Sequence, residues 1–341
     1  MQEERMMSIT AKELAKKLNL SATAVSMALN NRPGVSTETR ERVLKAAQQY
    51  GYDFSRLAAK STEKRTIYVL FYRAHNAILS YSPIFMELSD GIMQECSRLG
   101  YPMKTIQFYE KKDNLELLLE ELRLADCGGL ILIGTEMSAE AFRHFQSLKC
   151  PIVLLDNCFD GLDCNCVLIN NRQGAYRATE YLISRRMAQP GYLKSSYPLN
   201  NFSERMEGFQ RAVRDSGMSY SRSPIHTLSP TLEGAFADMM EVLEQKAPLA
   251  ECYFADNDLI AIGAMKALKA KGYRIPEDIA VIGFDNISES RVVDPSLTTI
   301  NIPRHCMAQV AVRRIDELIH ERAPYFSKIQ ISTSLVKRFS A

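Results

Sequence analysis

The sequence predicts an α/β protein with a small helical head and a larger core of doubly wound parallel sheets. Two observations lead to this fold class. Residues 1–65 contain three short amphipathic helical segments. The rest of the 341-residue chain alternates short apolar runs with amphipathic helical segments, which is the pattern of repeated βα units. The length of this second part suits two such lobes.

The charged residues are unevenly distributed between these two parts. The whole chain carries a net charge of +2, with 46% hydrophobic and 24% charged residues, as is ordinary for a globular protein. Residues 1–65 hold 12 Lys and Arg against 7 Asp and Glu, whereas residues 66–341 hold 30 against 33. A basic head on a slightly acidic core indicates nucleic-acid binding by the head, although a solvated basic surface gives the same pattern.

Several classes of protein are excluded by simple patterns. An apolar run long enough to span a membrane as a helix does not occur, and the polar, acidic N-terminus is unlike a secretory signal. We therefore expect a cytoplasmic protein. The eight cysteines should be reduced and mostly buried. The group Cys158, Cys164 and Cys166 lacks a CxxC pair and a nearby His, so we expect no metal site there.

The first helix of the head begins with a capping box. Thr10 and Glu13 have the T-x-x-E spacing in which each side chain bonds the other residue's backbone N–H. Residues 11–18 then place Ala11, Leu14, Ala15 and Leu18 on one stripe. This pattern predicts an amphipathic helix that ends near Leu18.

Two more helices follow after short turns. Ser21 can cap a second helix over residues 22–30, and Ser36 can cap a third that ends at Gly51. The predicted inward residues of the third helix are Val43, Leu44, Ala47 and Tyr50. The second helix leaves a polar face of Thr23, Ser26, Met27 and Asn30.

Two short helices joined by a tight turn, with a third behind them, form a helix-turn-helix. The second helix is short and carries small residues, so its backbone can approach the floor of a DNA major groove. Any small three-helix bundle shares this pattern, and on pattern alone DNA binding remains one of two interpretations.

The core is predicted from runs of apolar residues, each short and uninterrupted, as in strands buried on both faces of a parallel sheet. The predicted strands cover residues 67–71, 129–133, 152–155, 166–169, 252–255 and 279–284. The predicted helices cover residues 85–99, 115–125, 174–184, 204–216, 232–245 and 258–271.

Polar residues follow several of these strands. Asn257 and Asp258 come after one strand, Asp285 ends another, and Arg205 opens a helix. Ligands of such folds bind at the carboxyl ends of the strands, in the crevice between lobes. Asp, Asn and Arg together supply paired donors and acceptors for a polyhydroxyl ligand. Helix caps and loop starts would explain the same residues without a ligand.

Sequence signatures of enzymes are missing. The chain has no G-x-G-x-x-G, no phosphate-binding loop, no H-E-x-x-H and no G-x-S-x-G, and its five His are scattered. We expect no catalytic residues and no cofactor. A Rossmann-type enzyme would need the missing phosphate loop. A solute-binding protein would share the core, but it would carry an export signal and lack the helical head.

Five stretches resemble the LacI/GalR family of transcriptional regulators. In the head these are ITAKELA (9–15), LSATAVSMALN (20–30) and VSTETRERV (35–43). In the core they are FADNDLIAIGA (254–264) and RIPEDIAVIGFD (274–285), which resemble a sugar-binding core of the periplasmic-binding-protein type. The resemblance implies a DNA-binding head, a hinge helix and two ligand-binding lobes.

Seven DNA-contacting positions are implied by this resemblance. They are Ala22, Thr23 and Met27 for bases, Ser21, Ser26 and Asn30 for phosphates or the turn, and Leu57 for the minor groove. Relatives commonly have Arg at the position of Met27, which offers only apolar contact, so a different operator sequence is expected. The hinge has Phe54-Ser55 where Pro-Asn is common, and a plain flexible linker is the alternative to a hinge helix.

Five effector-binding positions are implied in the same way. They are Phe85, Gln173, Arg205, Asn257 and Asp285. The chain has no Trp, so stacking on a sugar ring would fall to a residue such as Phe85. The loop at residues 82–85 and the turn at residues 184–190 depart from the family pattern, which leaves the identity of the sugar open.

The predicted domains follow from these matches. They are a head at 1–54, a hinge at 55–65, an N-terminal lobe at 66–165 plus 295–323, and a C-terminal lobe at 166–294 plus 324–341. We expect a homodimeric repressor that binds a pseudo-palindromic operator. Its DNA affinity should be controlled by a small ligand, a sugar or sugar derivative, bound between the lobes.

Overall fold

A computed structural model describes residues 9–29, 34–52, 65–74, 84–125, 127–321 and 325–341. The chain divides into two compact units, Met1–Lys64 and Arg65–Ala341. Two of the predicted DNA-contacting residues, Asn30 and Leu57, lie outside the described residues. The side chain of the predicted effector residue Phe85 lies outside them as well.

The first unit is the predicted three-helix head, with α1 at Ala11–Leu18, α2 at Ala22–Leu29 and α3 at Thr37–Gln49. The capping box is formed. The backbone N–H of Thr10 donates to Glu13 Oε2 at 2.8 Å, and that of Glu13 donates to Thr10 Oγ1 at 3.4 Å. Ser36 caps α3 as predicted.

The core of the head is made by small and branched side chains. Leu14, Val25 and Val43 are fully buried where the three helices meet. Two residues predicted to point inward, Leu44 and Tyr50, are exposed. Ala46 takes the inward position one turn before Tyr50, and the Tyr50 ring instead lies beneath Lys17 Nζ at 4.1 Å.

The second unit contains, within the described residues, two six-stranded sheets. The first has the order β11-β5-β4-β3-β1-β2, and its described pairings are all parallel. Its strands are β1 Thr66–Arg73, β2 Met103–Tyr109, β3 Cys127–Ile133, β4 Ile152–Leu155, β5 Asn165–Ile169 and β11 Lys328–Ile331. The helices of this lobe are α4 Ile84–Leu99, α5 Leu115–Leu124, α6 Ala139–Phe145 and α12 Arg304–Glu321.

The second sheet has the order β12-β10-β9-β8-β6-β7 and is parallel except at β12. Its strands are β6 Gly191–Ser195, β7 Ile225–Leu228, β8 Cys252–Ala255, β9 Ala280–Asp285, β10 Thr298–Asn301 and β12 Ser334–Val336. The helices of this lobe are α7 Asn171–Arg186, α8 Asn200–Asp215, α9 Leu232–Glu244, α10 Asp258–Ala270 and the short α11 Glu289–Val292.

The strand pairings correct the predicted lobe boundaries. β5 pairs with β4 and β11 pairs with β5, so both strands belong to the first lobe, although the predicted stretches 166–294 and 324–341 placed them in the second. β10 pairs with β9 in the second lobe, although the predicted stretch 295–323 placed it in the first. The other elements of the two C-terminal stretches lie where they were predicted, with α12 in the first lobe and β12 in the second. An apolar run identifies a buried strand but does not show which strand it pairs with.

The crossings between lobes matter for function. The chain passes from one lobe to the other after β5, after β10 and after β11, and the ends of these strands lie between the lobes. Helix α12, which follows β10, packs on the first sheet, where Gly129 of β3 leaves space for the Ile315 side chain.

Candidate functional site

The exposed face of α2 carries the residues predicted to contact DNA. Ser21, Ala22, Thr23 and Ser26 are exposed, while Val25, Ala28 and Leu29 are buried against the other helices. Ser21 also starts the helix, because its Oγ accepts a bond from the backbone N–H of Ala24 at 3.0 Å. The exposed face is short and carries small side chains, which allows the helix backbone to approach the floor of a groove.

Met27 is half-buried on the same helix. Its methyl group lies 3.4 Å from the point that a Cβ on Gly34 would occupy, and Gly34 has a φ of +108°. The thioether therefore lies next to Gly34, in the segment that precedes α3. The sulfur and methyl can make apolar contacts only, so this position does not supply the bidentate hydrogen bonds of an arginine.

A second site lies between the two lobes of the core. It encloses a cavity of about 40 Å³. The residues that line it are Leu88, Thr135, Asp156, Ile169, Leu199, Asn201, Phe202, Arg205, Asn257, Asp285, Ile302, Arg304 and Met307. Pockets for small ligands measure about 300–1,000 Å³. The lobes must move apart before a ligand of that kind can enter.

Arg205 of α8 is the central side chain of this cavity, with only 3% of its surface exposed. Its Nη2 donates to Asp285 Oδ1 at 3.2 Å and its Nε donates to Asn171 Oδ1 at 3.0 Å. Its Nη1 donates to the backbone carbonyl of Asp256. The guanidinium also lies 3.7 Å from the centroid of the Phe284 ring. These contacts fix the guanidinium at the carboxyl ends of β8 and β9.

Asp285 sits at the end of β9 with a φ of +113°. Burial raises the pKa of its carboxyl above the ordinary value, and the positive charges of Arg205 and Arg304 oppose that shift. Arg304 donates to the backbone carbonyl of Asp285 and, through Nη1, to Glu87 Oε2 at 3.1 Å. Among the described residues no acceptor bonds the buried Arg304 Nε, which leaves one donor at the cavity unsatisfied.

Asp156 connects the two lobes from the first side. It follows β4, its Oδ2 accepts a bond from Thr135 Oγ1 at 2.6 Å, and its Oδ1 accepts one from Asn201 Nδ2 at 3.0 Å. Thr135 belongs to the first lobe and Asn201 to α8 of the second. Burial raises the pKa of Asp156 to about 6, and the hydrogen bonds to Thr135 and Asn201 lower it.

Asn257 and Asp258 follow β8, at the point where α10 begins. Asn257 caps α10, since its Oδ1 accepts from the backbone N–H of Ile260 at 2.9 Å. Asp258 is buried and accepts bonds from Thr299 Oγ1 at 2.5 Å and from the backbone N–H of Ile287 at 3.0 Å. Asp258 therefore braces the second sheet, while Asn257 lines the cavity.

The structure brings together three of the predicted effector residues, Arg205, Asn257 and Asp285. Gln173 is not among the residues that line the cavity. It lies along a groove between α7 and α8, and no described donor bonds its buried Oε1. Successive helical residues are separated by about 100°, so Gln173 points away from the side that Asn171 presents to Arg205. The structure therefore does not bring Gln173 together with the other predicted effector residues, and its role stays a prediction.

Sequence reasoning missed four polar residues of the cavity: Thr135, Asp156, Asn201 and Arg304. Asp156 directly follows the predicted strand 152–155, so the rule that identified Asp285 would also have found it. Arg304 had no such signal, because it enters the cavity from the start of a helix after a crossing between lobes.

The described residues contain no group of three His, Cys, Asp or Glu side chains that could hold a metal ion. None of the helices in the same ranges is long and apolar enough to cross a membrane.

Comparison with known proteins places this chain. The family described as bacterial regulatory proteins, lacI family, matches residues 10–54, and a periplasmic binding protein-like domain matches residues 179–341. The NTD biosynthesis operon regulator NtdR of Bacillus subtilis is 31% identical over 97% of this chain and 99% of its own length. The chain belongs to the LacI family of bacterial regulatory proteins.

Other similar proteins agree with this membership. The transcriptional repressor PurR of Pasteurella multocida is 29% identical over 97% of this chain and 98% of its own length. A solved complex of the transcriptional regulator CelR with cellobiose has a TM-score of 0.73 at 22% identity, and the match covers 98% of this chain and all of that one. At that identity the structural likeness concerns the fold.

Three predictions are confirmed by these findings: the LacI family, the fold class, and a DNA-binding transcriptional regulator controlled by a ligand. The head at residues 10–54 is the helix-turn-helix of this LacI-family regulator, and the two lobes form its ligand-binding core.

Proposed function

We propose that this LacI-family regulator is a homodimeric repressor that binds operator DNA through α2 and takes a carbohydrate between its lobes. It works in the cytoplasm, where its DNA is, and has no catalytic role. The observation that carries the proposal is the buried set of Arg205, Asp285 and Asp156 around a closed cavity between lobes. Relatives named as transcriptional regulators and repressors support the DNA-binding part.

The chemistry of the cavity favours a polyhydroxyl ligand. Asp156 and Asp285 supply acceptors, Arg205 and Asn201 supply donors, and the unsatisfied Nε of Arg304 supplies one more. Vicinal hydroxyls can donate to a carboxylate and accept from a guanidinium at the same time. The cellobiose in the complex of the structural neighbour CelR is a ligand of this class.

A ligand would change the separation of the lobes by replacing hydrogen bonds that now link them. The bond from Asn201 to Asp156 joins α8 of the second lobe to the first lobe, within which Thr135 also bonds Asp156. A sugar that occupied these groups would hold the lobes at another separation. It could shift DNA affinity only by the difference between its affinities for the two arrangements.

Exposed apolar side chains on α4 support a homodimer. Met86 is 70% exposed and Met93 is 51% exposed, and the two are two helical turns apart on one side of the helix. We propose that this face of the first lobe lies in the dimer interface. Met93→Glu should produce monomers in sedimentation velocity, whereas Val292→Glu, at an 83% exposed position of the second lobe, should leave the dimer intact. Equal behaviour of the two variants would contradict this assignment.

The proposed function is tested in two steps. Genomic fragments of the host bacterium are selected on the full-length protein at moderate salt, in competition with bulk DNA. We expect enrichment of a pseudo-palindromic sequence, and enrichment of no sequence would contradict the repressor. Thermal shift against sugars, sugar phosphates and nucleosides then identifies the ligand class. A sugar should raise the melting temperature, and a response to nucleosides alone would contradict the carbohydrate.

A further inference from the structure

Two cysteines of the first lobe lie side by side outside the ligand cavity. Cys127 begins β3 and Cys150 precedes β4, and the Cys127 Sγ donates to the Cys150 Sγ at a sulfur-to-sulfur distance of 3.5 Å. Cys127 is buried and Cys150 is half-buried. A disulfide requires about 2.05 Å between the sulfurs, so a shift of about 1.5 Å would close the bond.

The backbone around both cysteines is fixed by the sheet. β3 and β4 are parallel neighbours with Leu130 opposite Ile152, and the Leu130 N–H donates to the carbonyl of Pro151 at 2.8 Å. Pro151 is the residue after Cys150. The two thiols are therefore held near each other by neighbouring strands and do not depend on a chance approach of loops.

The pKa values of the two thiols are shifted in opposite directions. The hydrogen bond from Cys127 lowers the pKa of Cys150, and burial opposes that shift. The same hydrogen bond, together with burial, raises the pKa of Cys127. Cys150 is thus the better thiolate and the less buried of the two residues, which is the arrangement of an attacking thiol beside a resolving thiol.

The pair lies where the chain enters the core from the segment that connects it to the head. Thr66, the first residue of β1, pairs with Cys127. Gly128 leaves the space that Arg65 fills, since a Cβ on Gly128 would lie 2.6 Å from the Arg65 Cβ. Oxidation of these sulfurs would therefore occur next to Arg65 and Thr66, the first residues of the core.

We propose that Cys127 and Cys150 form a reversible disulfide when the protein meets a hydroperoxide. The Cys150 thiolate attacks the peroxide oxygen, the O–O bond breaks, and a sulfenic acid forms at Cys150 while the leaving oxygen departs as water or an alcohol. The Cys127 thiol then attacks the Cys150 sulfur, the S–O bond breaks, and a second water leaves. The two thiols lose two electrons and two protons to one peroxide.

A second group of thiols provides the competing outcome. Cys166 of β5 shares hydrogen bonds with Cys158 and Cys164, and all three belong to or pack against the same apolar cluster of the first lobe. The Cys127 pair is favoured because its sulfurs lie 3.5 Å apart in hydrogen-bond geometry on two adjacent strands.

The test uses the full-length protein, reduced and then treated with hydrogen peroxide. Free thiols should fall from eight to six, and peptide mapping should find one linked pair, Cys127 with Cys150, that dithiothreitol reverses. Cys150→Ser and Cys150→Ala should form no linked pair. Cys306→Ser, at an exposed thiol, should still lose two. A first disulfide between other cysteines, or oxidation of Cys306 with no disulfide, would overturn the proposal.

A second measurement asks whether the disulfide affects DNA binding, and this part rests on the proposed function. Operator affinity is compared before and after oxidation in the wild type and in Cys150→Ser. We expect a change of at least about twofold in the wild type and none in the variant. Equal affinities in both redox states would overturn the coupling. Absence of operator binding by the reduced protein would contradict the repressor instead, while thiol mapping would still decide the disulfide.

Discussion

The predicted DNA-reading face of the head and the cavity of the core are built in opposite ways. The face of α2 uses exposed side chains from one helix, between Ser21 and Met27, and none of them is charged. The cavity uses buried charged groups from separate elements, with Arg205 bonding Asn171, Asp256 and Asp285 across 34, 51 and 80 residues of sequence. The first is a local surface and the second is a product of the whole core.

This difference predicts where mutations are costly. A side chain on the exposed face of α2 can be exchanged with little effect on folding, because it has water on one side in the free protein. A charge in the cavity has no water to replace a lost partner, and an unpaired buried charge is strongly destabilising. Mutations in the cavity should therefore change stability, and mutations on the exposed face of α2 should change DNA sequence preference.

The largest effect is expected from Arg205→Ala. It leaves the Asp285 carboxylate buried without its nearest cation, and we expect a loss of about 3–5 kcal/mol in the free energy of unfolding. Urea unfolding at pH 7 measures it. Arg211→Ala on the same helix removes an exposed pair with Asp215 and should cost less than about 1 kcal/mol. Equal losses of stability in the two variants would show that the buried charge pair contributes no more to stability than the exposed pair.

The next effect concerns base preference. Met27→Arg should introduce a preference for guanine worth about 1–3 kcal/mol at one operator position while changing the free energy of unfolding little. Selection from randomised operator sequences measures the preference. Met27→Leu keeps an apolar contact and should keep the wild-type preference. An unchanged preference in Met27→Arg would remove Met27 from the base-reading residues.

A pH effect is expected from Asp156, whose carboxyl has a pKa of about 6 in the folded chain and an ordinary value near 3.8. Between these values the folded state binds more protons than the unfolded state, so its contribution to stability falls as pH rises. Asp156→Asn lacks this loss. The stability of the variant relative to the wild type should rise by about 2 kcal/mol from pH 4 to pH 7 and then level off. A pH-independent difference would contradict the assignment.

The smallest effect is expected at the head. Thr10→Ala removes the cap of α1 and should lower the stability of the head by about 1 kcal/mol, without changing the core. Hydrogen exchange of the α1 and core amides in the full chain measures both. Thr23→Ala, which removes an exposed hydroxyl from α2, serves as the control and should leave the α1 amides unchanged. Faster exchange throughout the core of Thr10→Ala would contradict the expectation that the cap affects the head alone.

The same contrast explains how much could be predicted from sequence. In the head, Thr10, Glu13, Ser21 and Ser36 act within three residues of themselves, so their spacing predicted the helix starts correctly. Leu44 and Tyr50 were placed inward wrongly, since a helical stripe does not tell which of its edges meets the neighbouring helices.

In the core, apolar runs predicted six strands correctly, but they missed the edge strands β2, β7, β11 and β12 and also the interior strands β6 and β10. β2 is half-exposed at one edge of its sheet and has no unbroken apolar run. The lobe of each crossing strand depends on its partner, which composition does not encode. The cavity was predicted in part because Asn257 and Asp285 end their strands. Asn201 and Arg304 reach it from helices of distant sequence, and only the tertiary arrangement of the lobes reveals them.

The central claim is that occupation of the cavity controls DNA binding by the head. The direct measurement is the operator affinity of the full-length protein with and without the sugar that stabilises it, in the wild type and in Asp285→Asn. We predict a change of at least about fivefold in the wild type and little change in the variant. The claim would be contradicted by a sugar that binds the wild type, loses its affinity in Asp285→Asn, and leaves the operator affinity of the wild type unchanged.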